Sequence, residues 1–235
     1  MIRVEINKMS LFHCPEITNI KFHFKLNEDD SQSLNSVFRL YRQIKSEEKG
    51  ANLDEHWNVK QASNFHVLRP KSCLKSKNLI NNKLVFICFE SGHVNVTGVR
   101  KKDFIQESVE IFTDYFGLDH TSAVLSYQID NLCAKSSSCK QEVNLMLEKH
   151  LGNFLNYVNT LENEQYSASY NPLLFSGLFL KIHEWDTVCT INLFQSGRCC
   201  YVGLKNSQQL ERATLLLSEI VSRWMLHLKE EKSVV

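Results

Sequence analysis

The chain lacks any apolar run approaching the roughly 18–20 residues that a membrane-spanning helix requires. Its start, Met1-Ile2-Arg3-Val4-Glu5-Ile6, carries charge where a secretory signal is apolar, so the sequence reads as soluble and intracellular. Proline occurs 3 times and glycine 8 times, which excludes collagen-like and linker-rich chains. No sign of charge predominates: 27 Lys+Arg stand against 26 Asp+Glu, a net charge of +1. A broadly basic nucleic-acid binder is thereby excluded, and any phosphate-binding face must arise from local segregation of charge. The eight cysteines form no C-x-x-C pair and no closely spaced Cys/His ligand set. Cys88 and Cys189 sit inside apolar runs, where a thiol behaves as a small hydrophobe. Cys199 and Cys200, adjacent on a strand, point to opposite faces and do not bridge each other.

Enzyme signatures are missing too. There is no H-E-x-x-H, no Gly-rich phosphate loop and no G-x-S-x-G elbow, so neither catalysis nor a metal or other cofactor is expected. His183-Glu184 with Asp186 reads as a polar turn between strands rather than an acid/base cluster. The sequon Asn95-Val96-Thr97 is accidental in an intracellular chain. What is present is globular: 235 residues, 43% hydrophobic and 10% aromatic, enough for one large domain or two small ones.

The sequence reads as one plan written twice. Lys83–Phe89 is a β-rich run that meets a turn at Glu90-Ser91-Gly92-His93 and continues as Val94–Gly98. Thr187–Phe194 meets Gln195-Ser196-Gly197-Arg198 and continues as Cys199–Gly203, with Gly197 lying 105 residues beyond Gly92. Both are hairpin signals. Each hairpin precedes a helical pattern, Asp103–Phe116 in the first copy and Ser207–Leu228 in the second. Each follows, at a distance, a strand and a helix. These are Asn19–Lys25 with about Ser33–Ile44, and Val124–Cys133 with about Gln141–Leu161. Lys45–Asn64 reads as an irregular loop or extra helix, and Glu162–Ser169 as a short polar linker. A repeat this long is a duplicated domain with helices on one face of antiparallel strands, an α+β layer.

The strand faces carry the functional signal. Cys189, Ile191 and Leu193 alternate with Thr190, Asn192 and Phe194, so the first set suits a core and the second leaves a large aromatic on a wetter face. In the first copy Val85, Ile87 and Phe89 take the matching face. Phe89 and Phe194 each fall two residues before Ser-Gly.

These residues resemble the TATA-box-binding protein family, and divergent members such as those encoded by large DNA viruses. Tyr170-Asn171-Pro172-Leu173-Leu174-Phe175-Ser176-Gly177-Leu178 is similar to that family's Tyr-x-Pro-x-Leu-Phe-Pro-Gly-Leu, and both Phe-x-Ser-Gly hairpins match it. The strand ends Thr97-Gly98-Val99-Arg100 and Val202-Gly203-Leu204-Lys205 resemble its Thr-Gly-Ala-Lys, and Asn19-Ile20 and Gln128–Leu132 its two first strands. The resemblance runs from about Ile17 to Leu228.

It implies two pseudo-symmetric α+β repeats forming a saddle, a curved antiparallel sheet with helices on the convex face. The expected division is an extension over 1–16, a first repeat over 17–118, a second over 119–228 and a tail over 229–235. The implied partners are A·T-rich double-stranded promoter DNA and general transcription factors or RNA polymerase, with no membrane and no small-molecule substrate. The implied location is the nucleus, or a cytoplasmic viral factory for a virus-encoded member. By the same resemblance Phe89, Phe175 and Phe194 are wedges that enter DNA base steps, with Phe65 the candidate first-repeat counterpart of Phe175. Asn19 and Asn131, helped by Thr97, are hydrogen-bond donors to minor-groove acceptors. Arg100, Lys181, Arg198 and Lys205 reach phosphates. The family departs here in Val202, where a second Thr is expected, and in the polar Thr190 and Asn192 on an otherwise apolar face. The near-neutral charge keeps a second expectation open: an interaction module of the same fold that recruits transcription factors without gripping DNA, since phosphate contacts dominate DNA affinity.

Overall fold

A computed structural model describes residues 10–47, 56–61, 64–71, 83–161, 165–184 and 188–233. The elements run β1 (Glu16–Lys25), α1 (Glu28–Glu47), β2 (Trp57–Gln61), β3 (Phe65–Pro70), β4 (Val85–Phe89), β5 (His93–Val99), α2 (Phe104–Phe116) and α3 (His120–Ser126). They continue with β6 (Gln128–Ser137), α4 (Gln141–Thr160), β7 (Tyr166–Ser169), β8 (Gly177–Ile182), β9 (Cys189–Phe194), β10 (Arg198–Leu204) and α5 (Ser207–Ser233). The chain divides into two compact units. The first is Asn19–Asp130; the second joins Met1–Thr18 to Asn131–Val235.

In the first unit the antiparallel strand order is β2-β3-β4-β5-β1. Period-2 alternation puts Phe22, Phe24, Leu68, Phe86, Cys88, Val94 and Val96 on one face, all fully buried. Leu34 and Phe38 of α1 and Ile105, Val109 and Phe112 of α2 supply helical core residues at 3–4-residue spacing. Asn27 caps α1, its side-chain oxygen accepting from the Asp30 amide at 2.8 Å, and three acidic residues in the first turn suit the helix dipole.

The second unit repeats the arrangement as β6-β10-β9-β8-β7. Leu178, Leu180, Ile182, Cys189, Ile191, Leu193, Cys199 and Tyr201 face inward. Val143, Leu147 and Phe154 of α4, and Leu217, Val221 and Trp224 of α5, complete that core. The chain before β1 belongs to this unit. Phe12 bridges Ser138, the His13 amide donates to Ser137 at 2.9 Å, and the Leu11 amide donates to the Ser218 hydroxyl at 3.2 Å. Leu11 and Phe12 are both buried there, so the expected extension contributes to a core.

The sequence reading needs three adjustments. Val124–Cys133 is not one strand. Asp119 accepts from the Thr121 amide at 2.9 Å, starting the short helix α3, and β6 begins only at Gln128. The polar stretches also hold edge strands, β2 with its buried Trp57 and β7 with two half-buried residues in four. Alternation over four or five residues, with one good apolar anchor, is too thin a signal to read. The buried state expected of Cys88 and Cys189 holds, and burial pushes the Cys189 thiol up to about 12. Cys199 is buried and Cys200 half-buried, as opposite-facing neighbours on β10. Glu184 is held by Arg212 at 3.0 Å, while Asp186 lies outside the described residues.

Candidate nucleic-acid interface

Each sheet leaves one face free of its own helices, and the expected site residues gather there. In the second unit this face carries Thr190, Asn192 and Phe194 on β9, all half-buried and alternating with the fully buried Cys189, Ile191 and Leu193. Phe194 lies directly opposite Gly177 of β8. The rings of Phe175 and Phe194 meet edge to face at 5.7 Å, and Phe175 stacks on Phe179 at 4.9 Å. Phe175 remains 37% exposed. Phe179 was not singled out in the sequence, although its alternation with Leu178 and Leu180 places it on the same face as Lys181.

The first unit is built differently at the matching point. Phe65 lies directly opposite Phe89, with ring centroids 5.9 Å apart. Phe65 therefore occupies the strand position that Gly177 takes in the second unit, not that of Phe175. This register accounts for the mismatch in spacing, 24 residues from Phe65 to Phe89 against 19 from Phe175 to Phe194.

The two asparagines share one local construction. Asn19 Oδ1 accepts the Gly98 amide at 2.8 Å, and Asn131 Oδ1 accepts the Gly203 amide at 2.8 Å. Both glycines sit at positive φ, 97° and 93°, next to register shifts in their strand pairs. Pinning the oxygen fixes each carboxamide, with its N–H groups turned away from the glycine amide. Asn19 gives one to the Thr97 hydroxyl at 3.1 Å. In the second unit Val202 stands where Thr97 does in the first and offers Asn131 no hydroxyl; burial raises the pKa of the nearby Cys133 thiol, and Asn131 works in the opposite direction. A carboxamide nitrogen carries two donors, so Asn19 keeps one beyond the bond it gives Thr97.

Cations lie around these groups. Lys181 is exposed on β8, Arg198 is exposed at the start of β10, and Arg100 is exposed just past β5. Lys205 follows β10, where its amide donates to Gln209 at 2.7 Å. Acidic groups offset other cations. Asp130 holds His23 at 2.7 Å and Lys21 at 3.8 Å, and Glu16 holds Lys135 at 3.1 Å. Among the described residues no cluster of three or more His, Cys, Asp or Glu could hold a metal ion.

The family model "Transcription factor TFIID (or TATA-binding protein, TBP)" matches residues 127–224. No curated protein matches the chain in sequence. Among solved structures, Methanococcus jannaschii TBP is similar, with 20% identity and a TM-score of 0.56 over 89% of this chain and 98% of that one. That likeness shows the fold expected from the sequence, two α+β repeats of the saddle type. Over residues 127–224, the stretch that holds most of the second repeat, the sequence is thus similar to the TATA-binding protein family, and over most of the chain the fold is similar to that of a solved TATA-binding protein.

Proposed function

We propose that the chain binds A·T-rich promoter duplex through the minor groove, kinks it, and thereby recruits the transcription machinery in the nucleus. The observation that carries this reading is the Phe175–Phe194 pair, held over a glycine on a face without helices, with Phe175 more than a third exposed. An apolar wedge entering a base step costs a few kcal/mol of unstacking, which the extra wrapped surface offsets. The minor groove of A·T pairs presents only acceptors, so the N–H groups of Asn19 and Asn131 meet adenine N3 or thymine O2 without conflict. Arg100, Lys181, Arg198 and Lys205 supply the phosphate contacts.

Fluorescence anisotropy of a labelled A·T-rich duplex at two salt concentrations tests this. The log–log slope is expected to be shallow, at about −0.9 for each neutralised phosphate. Folded protein that binds no duplex at low salt removes the proposal.

A second reading has its own support. Asp130 and Glu16 offset cations that would otherwise face phosphates, and the net charge is only +1. This favours an interaction module of the same fold that recruits transcription factors without strong DNA binding. Retention of general transcription factors without duplex binding would select it.

A further inference from the structure

The second unit holds a cavity of about 730 Å³ that the functional reading has not used. Its wall includes His13 and Cys14 from the segment before β1, Glu16 from β1, Lys135 from β6, and Arg198 and Cys200 from β10. Alternation on β6 buries Leu132 and Ala134, which turns Lys135 to the face that carries Asn131. Alternation on β10 likewise turns Arg198 and Cys200 to the face opposite the buried Cys199 and Tyr201. Two cations of adjacent strands thus line one hollow, with Cys200 directly opposite Lys135 in the register. Among the described residues Arg198 has no ion pair. Lys135 has one, to Glu16 at 3.1 Å, but the two side chains are 59% and 71% exposed. A pair so exposed is worth about 0–1 kcal/mol, little enough to be given up to a stronger anion. A phosphate accepting from both a guanidinium and an ammonium is such an anion.

We infer that this cavity receives a backbone phosphate of bound duplex, held jointly by Lys135 and Arg198, with Glu16 acting as an internal competitor for Lys135. The inference rests on the DNA-binding reading and adds to it a phosphate subsite with its own counter-ion. It also explains how a nearly neutral chain keeps cations ready for DNA: Lys135 is neutralised in the free protein and released on binding.

The test uses the full chain and a labelled A·T-rich duplex. Lys135→Ala is expected to weaken binding uniformly across sequences and to make the salt slope shallower by about 0.9. Glu16→Gln is expected to tighten binding at low salt. Alkylation with iodoacetamide, read by mass spectrometry, gives an independent footprint. Bound duplex is expected to slow modification of Cys14 and Cys200 in the cavity, while exposed Cys139, outside its lining, stays reactive. A duplex that binds the parent and Lys135→Ala with the same salt slope overturns the subsite and leaves the DNA-binding reading standing. Weaker binding by Glu16→Gln overturns it as well. If inorganic phosphate alone protects Cys14 and duplex does not, the cavity is a free-anion site and the DNA assignment falls. No duplex binding by the parent overturns both readings.

Discussion

Gly177 lies beneath two aromatic rings: a Cβ built on it would come within 2.7 Å of Phe175 Cε1 and 3.0 Å of Phe194 Cε1. The pair therefore closes over this position because it has no side chain. Both clashing atoms are the far edges of side chains on a partly open face, so they can yield. Gly177→Ala is expected to change stability by less than about 1 kcal/mol while spreading the two rings. Energy transfer between the ends of a labelled duplex should show a reduced bend. An unchanged bend would separate the ring geometry from DNA deformation.

Gly203→Ala gives the contrasting case. Its φ is 93°, and a Cβ would meet the Val188 carbonyl oxygen at 2.4 Å, a backbone atom that cannot turn aside. Destabilisation of about 1–3 kcal/mol or more is expected in urea unfolding. Gly98→Ala, with φ 97° and a contact of 2.1 Å to the Lys83 carbonyl oxygen, should behave alike.

Phe194→Ala and Ile191→Ala test the two faces of β9. Ile191 is fully buried, so its truncation should cost about 2–5 kcal/mol and leave the bend of bound DNA intact at temperatures where the protein stays folded. Phe194 is half-buried and should cost clearly less than a core Phe, whose truncation typically costs about 3–5 kcal/mol, while the bend is lost. A Phe194→Ala protein that is as unstable as Ile191→Ala would make Phe194 a core residue.

The asparagine construction separates folding from reading. Asn131→Asp keeps an oxygen for the Gly203 amide but replaces the N–H donors with an acceptor and a charge. Folding should survive, and A·T duplex binding should weaken by about 1–3 kcal/mol. Asn131→Leu instead removes the oxygen that accepts the Gly203 amide at 2.8 Å, and its stability should fall by about 0.5–1.5 kcal/mol. Equal duplex affinity for Asn131→Asp and the parent would remove Asn131 from the interface.

Alkaline pH should destabilise the protein through its buried thiols. Burial raises Cys88 and pushes Cys189 and Cys199 up to about 12, from an ordinary value near 9. The unfolded chain loses these protons first, so stability should hold below pH 9 and fall as pH rises from about 9 towards 12. Urea midpoints at pH 8 and pH 10.5 measure this, and Cys189→Ala should fall less steeply between them than the parent. A midpoint that is flat up to pH 10.5 would contradict burial as the cause.

Short-range order was the legible part of this sequence. Each Phe-x-Ser-Gly turn closes a hairpin whose glycine amide returns to the phenylalanine carbonyl, at 3.0 Å for Gly92 and 2.9 Å for Gly197, and both were readable from the residues alone. The asparagines could be singled out by resemblance, but their link to Gly98 and Gly203 spans 79 and 72 residues, and no local pattern announces such a bond. Phe65 was misleading for a related reason. Its aromatic character suggested the counterpart of Phe175, whereas only strand register shows that it faces Phe89 directly. Lys135 and Glu16 went unread because each looks like an ordinary surface charge until the fold brings them to 3.1 Å.

The segment around Leu11 and Phe12 sets the order in which the molecule can be completed. Its partners, Ser137, Cys139 and Ser218, are more than 120 residues away along the chain, so during synthesis it emerges long before anything it can pair with. Contacts of such high sequence separation form late and slowly. A fragment beginning at residue 127, where the family pattern starts, would lack this segment and leave the Ser137 carbonyl and the Ser218 hydroxyl without the amides that reach them here. A self-standing second repeat would have to carry residues 10–18 as well, joined through a new linker, in a topology that the natural order of the chain does not provide.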